Sequence, residues 1–160
     1  MAKRSPSKRG RSPRPESQGD AERLVRYIES SALVAALLEN DVAARAAIRA
    51  PGLRITSAVT LAEADRAVIR ARTTGRISDA EARAAARTVR ALERRIDVIN
   101  VTDVILARVR RPFPVEPVRT PDAIHLASIE VLGSPPDATT VVTRDERVRA
   151  NARALGYAVE

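Results

Sequence analysis

Residues 139–159 read TTVVTRDERVRANARALGYAV, and this stretch decides the fold. Thr140 to Thr143 is a short β-branched run bounded by polar residues, and Tyr157 to Val159 is a second apolar run, so both read as strands. Between them Val148, Ala152 and Leu155 recur at helical spacing, and Gly156 is a natural helix stop. Thr143-Arg144-Asp145 supplies a cap at the start of that helix. The unit is therefore strand, helix, strand.

The same alternation runs back towards the N-terminus. Val25 to Ile28, Leu53 to Thr56 and Ile96 to Val101 read as further strands, with helical patterns between them. Ala82, Ala85, Ala86, Val89 and Leu92 mark an apolar helix face that follows a Ser78-to-Glu81 capping box. Thr60 to Thr74 and Ser78 to Arg95 follow one another as a helical hairpin. No internal repeat interrupts the pattern, which predicts an α/β fold with a mostly parallel central sheet flanked by helices.

Composition narrows the chemistry. The 160 residues are 44% hydrophobic and 30% charged, as in a soluble globular domain, and no apolar run approaches the roughly 18 to 20 residues that span a bilayer. There are no cysteines and one histidine, His125, which excludes disulfide frameworks, thiolate zinc sites and any site needing two imidazoles. A metal would sit on carboxylates. The only aromatics are Tyr27, Phe113 and Tyr157, too few for the base-stacking platforms of common RNA-binding modules, so any nucleic-acid contact must rely on charge.

The formal net charge is +8, which favours a polyanionic partner. Half of it lies in residues 1–20, where six basic residues face Glu16 and Asp20. With Ser, Pro and Arg in excess and almost no apolar side chains, residues 1–23 are expected to form a disordered basic tail, and residues 24–160 the domain.

In open parallel sheets the reactive crevice lies at the carboxyl ends of the strands. Four acids fall there. Glu29 follows Tyr27-Ile28, Glu63 opens the helix after Ile55-Thr56, Asp122 opens the helix after a Pro-rich loop, and Asp145 follows Val141-Val142-Thr143. Each alone also fits a helix start: Thr60 to Glu63 as a capping box, Thr120-Pro121-Asp122 as N-cap, Pro at the first position and first-turn acid, and Thr143 to Asp145 as a cap. Together they would repel one another strongly unless a hard cation such as Mg²⁺ or Mn²⁺ neutralised them, which is the chemistry of many nucleases.

These segments resemble the PIN-domain ribonucleases, most closely their VapC-type toxin branch. YIESSALVAALLE is similar to that family's opening strand and helix, ITSAVTLAEADRAV to its second acidic segment, TPDAIHLASIEVLG to its third and VVTRDERVRANARALGYAV to its fourth. The resemblance spans about Val25 to Val159. It implies a metal-dependent endoribonuclease in which Glu29, Glu63, Asp122 and Asp145 hold Mg²⁺ or Mn²⁺, with Ser31 and Thr143 as supporting hydroxyls. It further implies a cytoplasmic toxin of a type II toxin–antitoxin pair that acts on RNA, binds a cognate antitoxin and forms a homodimer. Glu29 stands where the family usually has Asp, so its carboxylate is one methylene further from the backbone.

His125 lies three residues after Asp122, near the same helix face, but beside Leu126 and Ala127 it reads as a packed, hydrogen-bonded structural histidine and is left out of the site. Arg83, Arg87, Arg90 and Arg94 recur at helical spacing and make a basic stripe, either a solvated face or an RNA contact. The rival reading is a PIN-like module that binds RNA or protein without cutting. A receiver-like phosphoacceptor is disfavoured because Lys3 and Lys8 are the only lysines.

Overall fold

The computed structural model describes residues 24–160, so the expected tail lies outside the described residues. The chain folds as β1 (Val25–Ile28), α1 (Ser30–Leu38), α2 (Val42–Arg49), β2 (Leu53–Ser57), α3 (Ala58–Thr73), α4 (Asp79–Glu93), β3 (Asp97–Ile99), α5 (Asp103–Val109), α6 (Thr120–Leu132), β4 (Thr139–Val142), α7 (Glu146–Ala154) and β5 (Ala158–Val159). The five strands form one parallel sheet in the order β3-β2-β1-β4-β5. All five expected strands are present, and β1 is central.

Parallel sheets are covered on both faces, and alternation along β1 shows how. Val25 and Tyr27 pack with Ile55 and Val141 under α5, α6 and α7, where Ile105, Leu126, Ile129, Val148 and Ala152 are buried. Ile28 and Val142 point the other way, into a second cluster with Leu33, Ile48, Ala64 and Val89 from α1 to α4. Every residue of β1 is buried on one face or the other. Helix α7 ends as its sequence demands: Gly156 adopts φ 92°, a left-handed conformation costly for any residue with a Cβ.

The capping box at Ser78 and Glu81 forms as expected, and so does the α3–α4 hairpin. Two other caps do not. Helix α3 begins at Ala58 with Ser57 as its N-cap, so Thr60 and Glu63 already lie inside the helix and make no capping box. The reason is that β2 passes directly into α3 without a loop. Helix α6 has Arg119 rather than Thr120 at its N-cap, without a side-chain cap, and Pro121 sits in the first turn. Asp145 is the N-cap of α7, as read.

Candidate active site

The four acids sit at the carboxyl ends of the strands. Glu29 is the residue after β1 and is almost wholly buried, at 2% exposure. A carboxylate there must be satisfied by donors. Ser30 Oγ donates to Oε1 at 2.6 Å, the Ser31 amide donates to both oxygens at 3.0 Å, and Thr143 Oγ1 donates to Oε2 at 2.7 Å. The Ser31 hydroxyl also donates to Oε2. Glu29 thereby caps α1 and ties the end of β1 to the end of β4. Both hydroxyls named from the sequence, Ser31 and Thr143, are in direct contact with it.

Glu63 reaches the same place from α3 because the early start of that helix leaves its side chain free. Its Oε2 lies 2.9 Å from His125 Nε2, and the same nitrogen lies 3.8 Å from Glu29 Oε1. One ligand atom from each of Glu29, Glu63 and His125 lies within 4.8 Å of the others. Burial pushes the Glu63 carboxyl up, but hydrogen bonds from His125 and Ser30 and the His125 charge outweigh it, so its pKa is below the ordinary value. An ionised carboxylate only accepts, which makes His125 Nε2 the donor. The other ring nitrogen, Nδ1, lies 3.0 Å from the Tyr27 hydroxyl, a contact that orients the imidazole. Burial raises the Tyr27 pKa, keeping that proton in place.

Asp122, in the first turn of α6, and Asp145, at the cap of α7, stand outside the 4.8 Å group. They remain in its electric field. The Asp122 pKa is raised by burial first, then by the charges of Asp145 and Glu29, with a smaller contribution from Glu63 and a partial offset from His125. One Asp145 oxygen, Oδ1, accepts from the amides of Arg147 and Val148 at 2.8 and 3.0 Å. The structure thus joins Glu29 and Glu63 closely and sets Asp122 and Asp145 within electrostatic reach. None of Glu29, Asp122 and Asp145 pairs with an arginine or lysine among the described residues.

The residue passed over in the sequence is His125. It is packed and hydrogen-bonded, as expected, but its partners are the acids themselves. The signal was its position one turn after Asp122, on the helix face that looks into the site.

At the rim, Arg144 follows Thr143; its amide donates to Ser31 Oγ at 2.8 Å and its Nε to Asp41 Oδ2 at 2.7 Å. Asp41 also caps α2 through the Ala44 amide. The Arg144 hydrogen bond and that cap lower the Asp41 pKa to about 2 from 3.8. A depressed acid contributes stability above its unfolded pKa and loses it as the pH falls through the folded value. Asp41→Asn keeps the cap but loses the ionic partner, so it is expected to melt below wild type at pH 7. The gap should close between about pH 4 and about pH 2. Melting curves across that range check this, and a gap independent of pH would refute it.

Comparison with known proteins follows the same outline. The family model described as PIN domain matches residues 26–154. Ribonuclease VapC35 of Mycobacterium tuberculosis, in two strains, is 34% identical over 137 residues, covering 83% of this chain and 93% of that protein. Among solved structures, VapC20 of M. tuberculosis, a sarcin–ricin-loop-cleaving toxin, superposes with a TM-score of 0.58 at 20% identity, covering 82% of this chain and 95% of the other. VapBC2 from Rickettsia felis bound to a promoter DNA fragment gives 0.59 at 10% identity, covering 85% and 97%. These two structural matches share the fold at low identity.

Proposed function

The chain belongs to the PIN-domain family, and from that premise we propose that it is a metal-dependent endoribonuclease, the toxin component of a type II toxin–antitoxin pair. The observation that carries this reading is the close approach of Glu29 and Glu63 at the carboxyl ends of the parallel strands, with Asp122 raised in pKa by burial and then by the charges of Asp145 and Glu29. The ribonuclease name of a 34%-identical relative supports the reaction class. VapBC assemblies among the structural neighbours support an antitoxin partner.

The residues fit a divalent cation. A surplus of carboxylate oxygens without arginine or lysine partners is a hard donor set, suited to Mg²⁺ or Mn²⁺. When bound, such an ion supplies neutralising charge for a phosphodiester and acidifies water. Everything else falls to the chain. Glu63 is aimed at Glu29 by His125, which Tyr27 orients. Glu29 is fixed by Ser30, Ser31 and Thr143, while Asp145 keeps one oxygen, Oδ2, outside its cap bonds. The acids repel an RNA phosphate in the absence of a cation, so metal and substrate binding are coupled. Action in the cytoplasm and assembly as a homodimer complete the proposal. No helix among the described residues is long and apolar enough to cross a membrane.

The test is cleavage of single-stranded RNA by purified protein in Mn²⁺ or Mg²⁺. Cleavage that EDTA abolishes is the expected result. RNA left intact with both metals, yet bound, would establish the rival reading of a binding module, and cleavage insensitive to EDTA would remove the metal from the mechanism.

A further inference from the structure

The positive charge of the described fold is confined to one structural unit. From Ala58 to Arg95, the α3–α4 hairpin and its flanking turn, there are nine arginines against five acids, whereas the rest of residues 24–160 holds twelve basic residues against twelve acids. The hairpin carries the whole excess. Of its five acids, Glu63 belongs to the site, Asp79 faces Arg72 at 3.8 Å and Glu81 closes the capping box.

On α4 this charge is ordered. Arg83, Arg87, Arg90 and Arg94 are all exposed, on the side of the helix away from its buried residues Ala82, Ala85 and Val89. Among the described residues none of the four forms an ion pair. The stripe runs about 16 Å along the helix axis. Helix electrostatics account for Arg90 in the last turn, but not for Arg83 near the positively polarised start. Helix α4 packs against the elements that carry Glu29 and Glu63. Val89, next to Arg90, is buried in the same cluster as Ile28 and Ala64, the chain neighbours of Glu29 and Glu63.

We propose that the arginine stripe of α4 is a binding track for the phosphate backbone of single-stranded RNA, carrying the strand towards the acidic site. The inference rests on the ribonuclease reading for the identity of its polyanion. Four guanidiniums in a row recognise phosphates without reading bases, so the track adds affinity and leaves sequence choice to other residues. It offsets the repulsion that the acids exert on the same strand.

The test compares full-length wild type with Arg83→Gln/Arg87→Gln/Arg90→Gln/Arg94→Gln. A control variant, Arg49→Gln/Arg110→Gln/Arg111→Gln/Arg153→Gln, loses the same charge from exposed positions elsewhere. Binding of a 20-nucleotide RNA is measured in EDTA, where nothing is cut, from low to high salt. Each arginine–phosphate contact contributes about 0.7 to the slope of log affinity against log salt concentration, so the stripe variant should lose about 2 to 3 units of slope and the control much less. Melting temperatures of all three should agree, and in Mn²⁺ the stripe variant should be impaired on the long RNA but not on a tetranucleotide. Equal slopes in stripe variant and wild type, or equal losses in stripe and control variants, would overturn the track while leaving the ribonuclease reading intact. Absence of cleavage by wild type would count against that reading alone, because the salt slopes are measured without it.

Discussion

Asp122→Asn is expected to lower Mn²⁺-dependent RNA cleavage by about two orders of magnitude or more, and to raise the melting temperature of the metal-free protein. The two effects have one cause. The Asp122 pKa is raised, first by burial and then by the charges of Asp145 and Glu29, so its ionised form is held in the fold against an electrostatic cost. An acid whose folded pKa lies above its unfolded value destabilises the native state as the pH rises through that range, and the cost persists above it. Asparagine removes the charge and keeps the shape. It also removes the charged oxygen that the proposed site would offer a divalent cation, and the activity should fall with it. Melting in EDTA at pH 7 should show a gain of about 1 to 3 °C, and excess Mn²⁺ should stabilise wild type more than the variant. A variant that melts lower than wild type in EDTA, or cuts RNA at the wild-type rate, would show that Asp122 does not share the site.

Glu29→Ala should have the largest effect on stability. The carboxylate accepts from Ser30, Ser31 and Thr143 at almost full burial, and deleting it leaves these donors facing a void. Unsatisfied buried donors cost about 1 to 3 kcal/mol each, partly relieved where a hydroxyl can rotate, so a loss of about 2 to 4 kcal/mol and about 10 °C in melting temperature is expected. Glu29→Asp separates this structural role from the chemistry. A shorter side chain still caps α1 through the Ser31 amide, as Asp does at many helix starts, but no longer spans to Thr143. It should lose about 1 kcal/mol and retain or raise cleavage. If Glu29→Asp melts like Glu29→Ala, the length of the side chain rather than its cap governs the fold here. If it melts like wild type, the Thr143 bond carries no weight.

The parts of the fold that were legible are those that a parallel sheet writes into sequence. Strands buried on both faces become runs rich in apolar and β-branched residues, so β1 was legible as Val25 to Ile28, and β4 was read as Thr140 to Thr143, one residue late against Thr139–Val142. The positions of Glu29, Glu63, Asp122 and Asp145 followed from the ends of those strands and the helices after them. The start of α3 was not legible because Ser57 serves twice, closing β2 and capping the helix, so no turn residue marks the boundary. Thr60, freed from any cap, instead directs its hydroxyl to the Ile28 carbonyl, at 3.4 Å. The partners of His125 were illegible for a different reason. Which acid an imidazole meets across 62 residues depends on how α3 and α6 lie against the sheet, and no local pattern records that.

The bonds that join the acids across elements are long in sequence, and this bears on when the site becomes complete. Glu63 meets His125 across 62 residues and Glu29 meets Thr143 across 114. Such contacts form only after the intervening chain has been made, and closing them is slow compared with local helix formation. A nascent chain emerging from the ribosome at roughly 5 to 20 residues per second therefore carries its first acid for several seconds before the partner from β4 exists. During synthesis the polypeptide holds Glu29 and Glu63 without the geometry of the site, which is completed only when the last strands join the sheet.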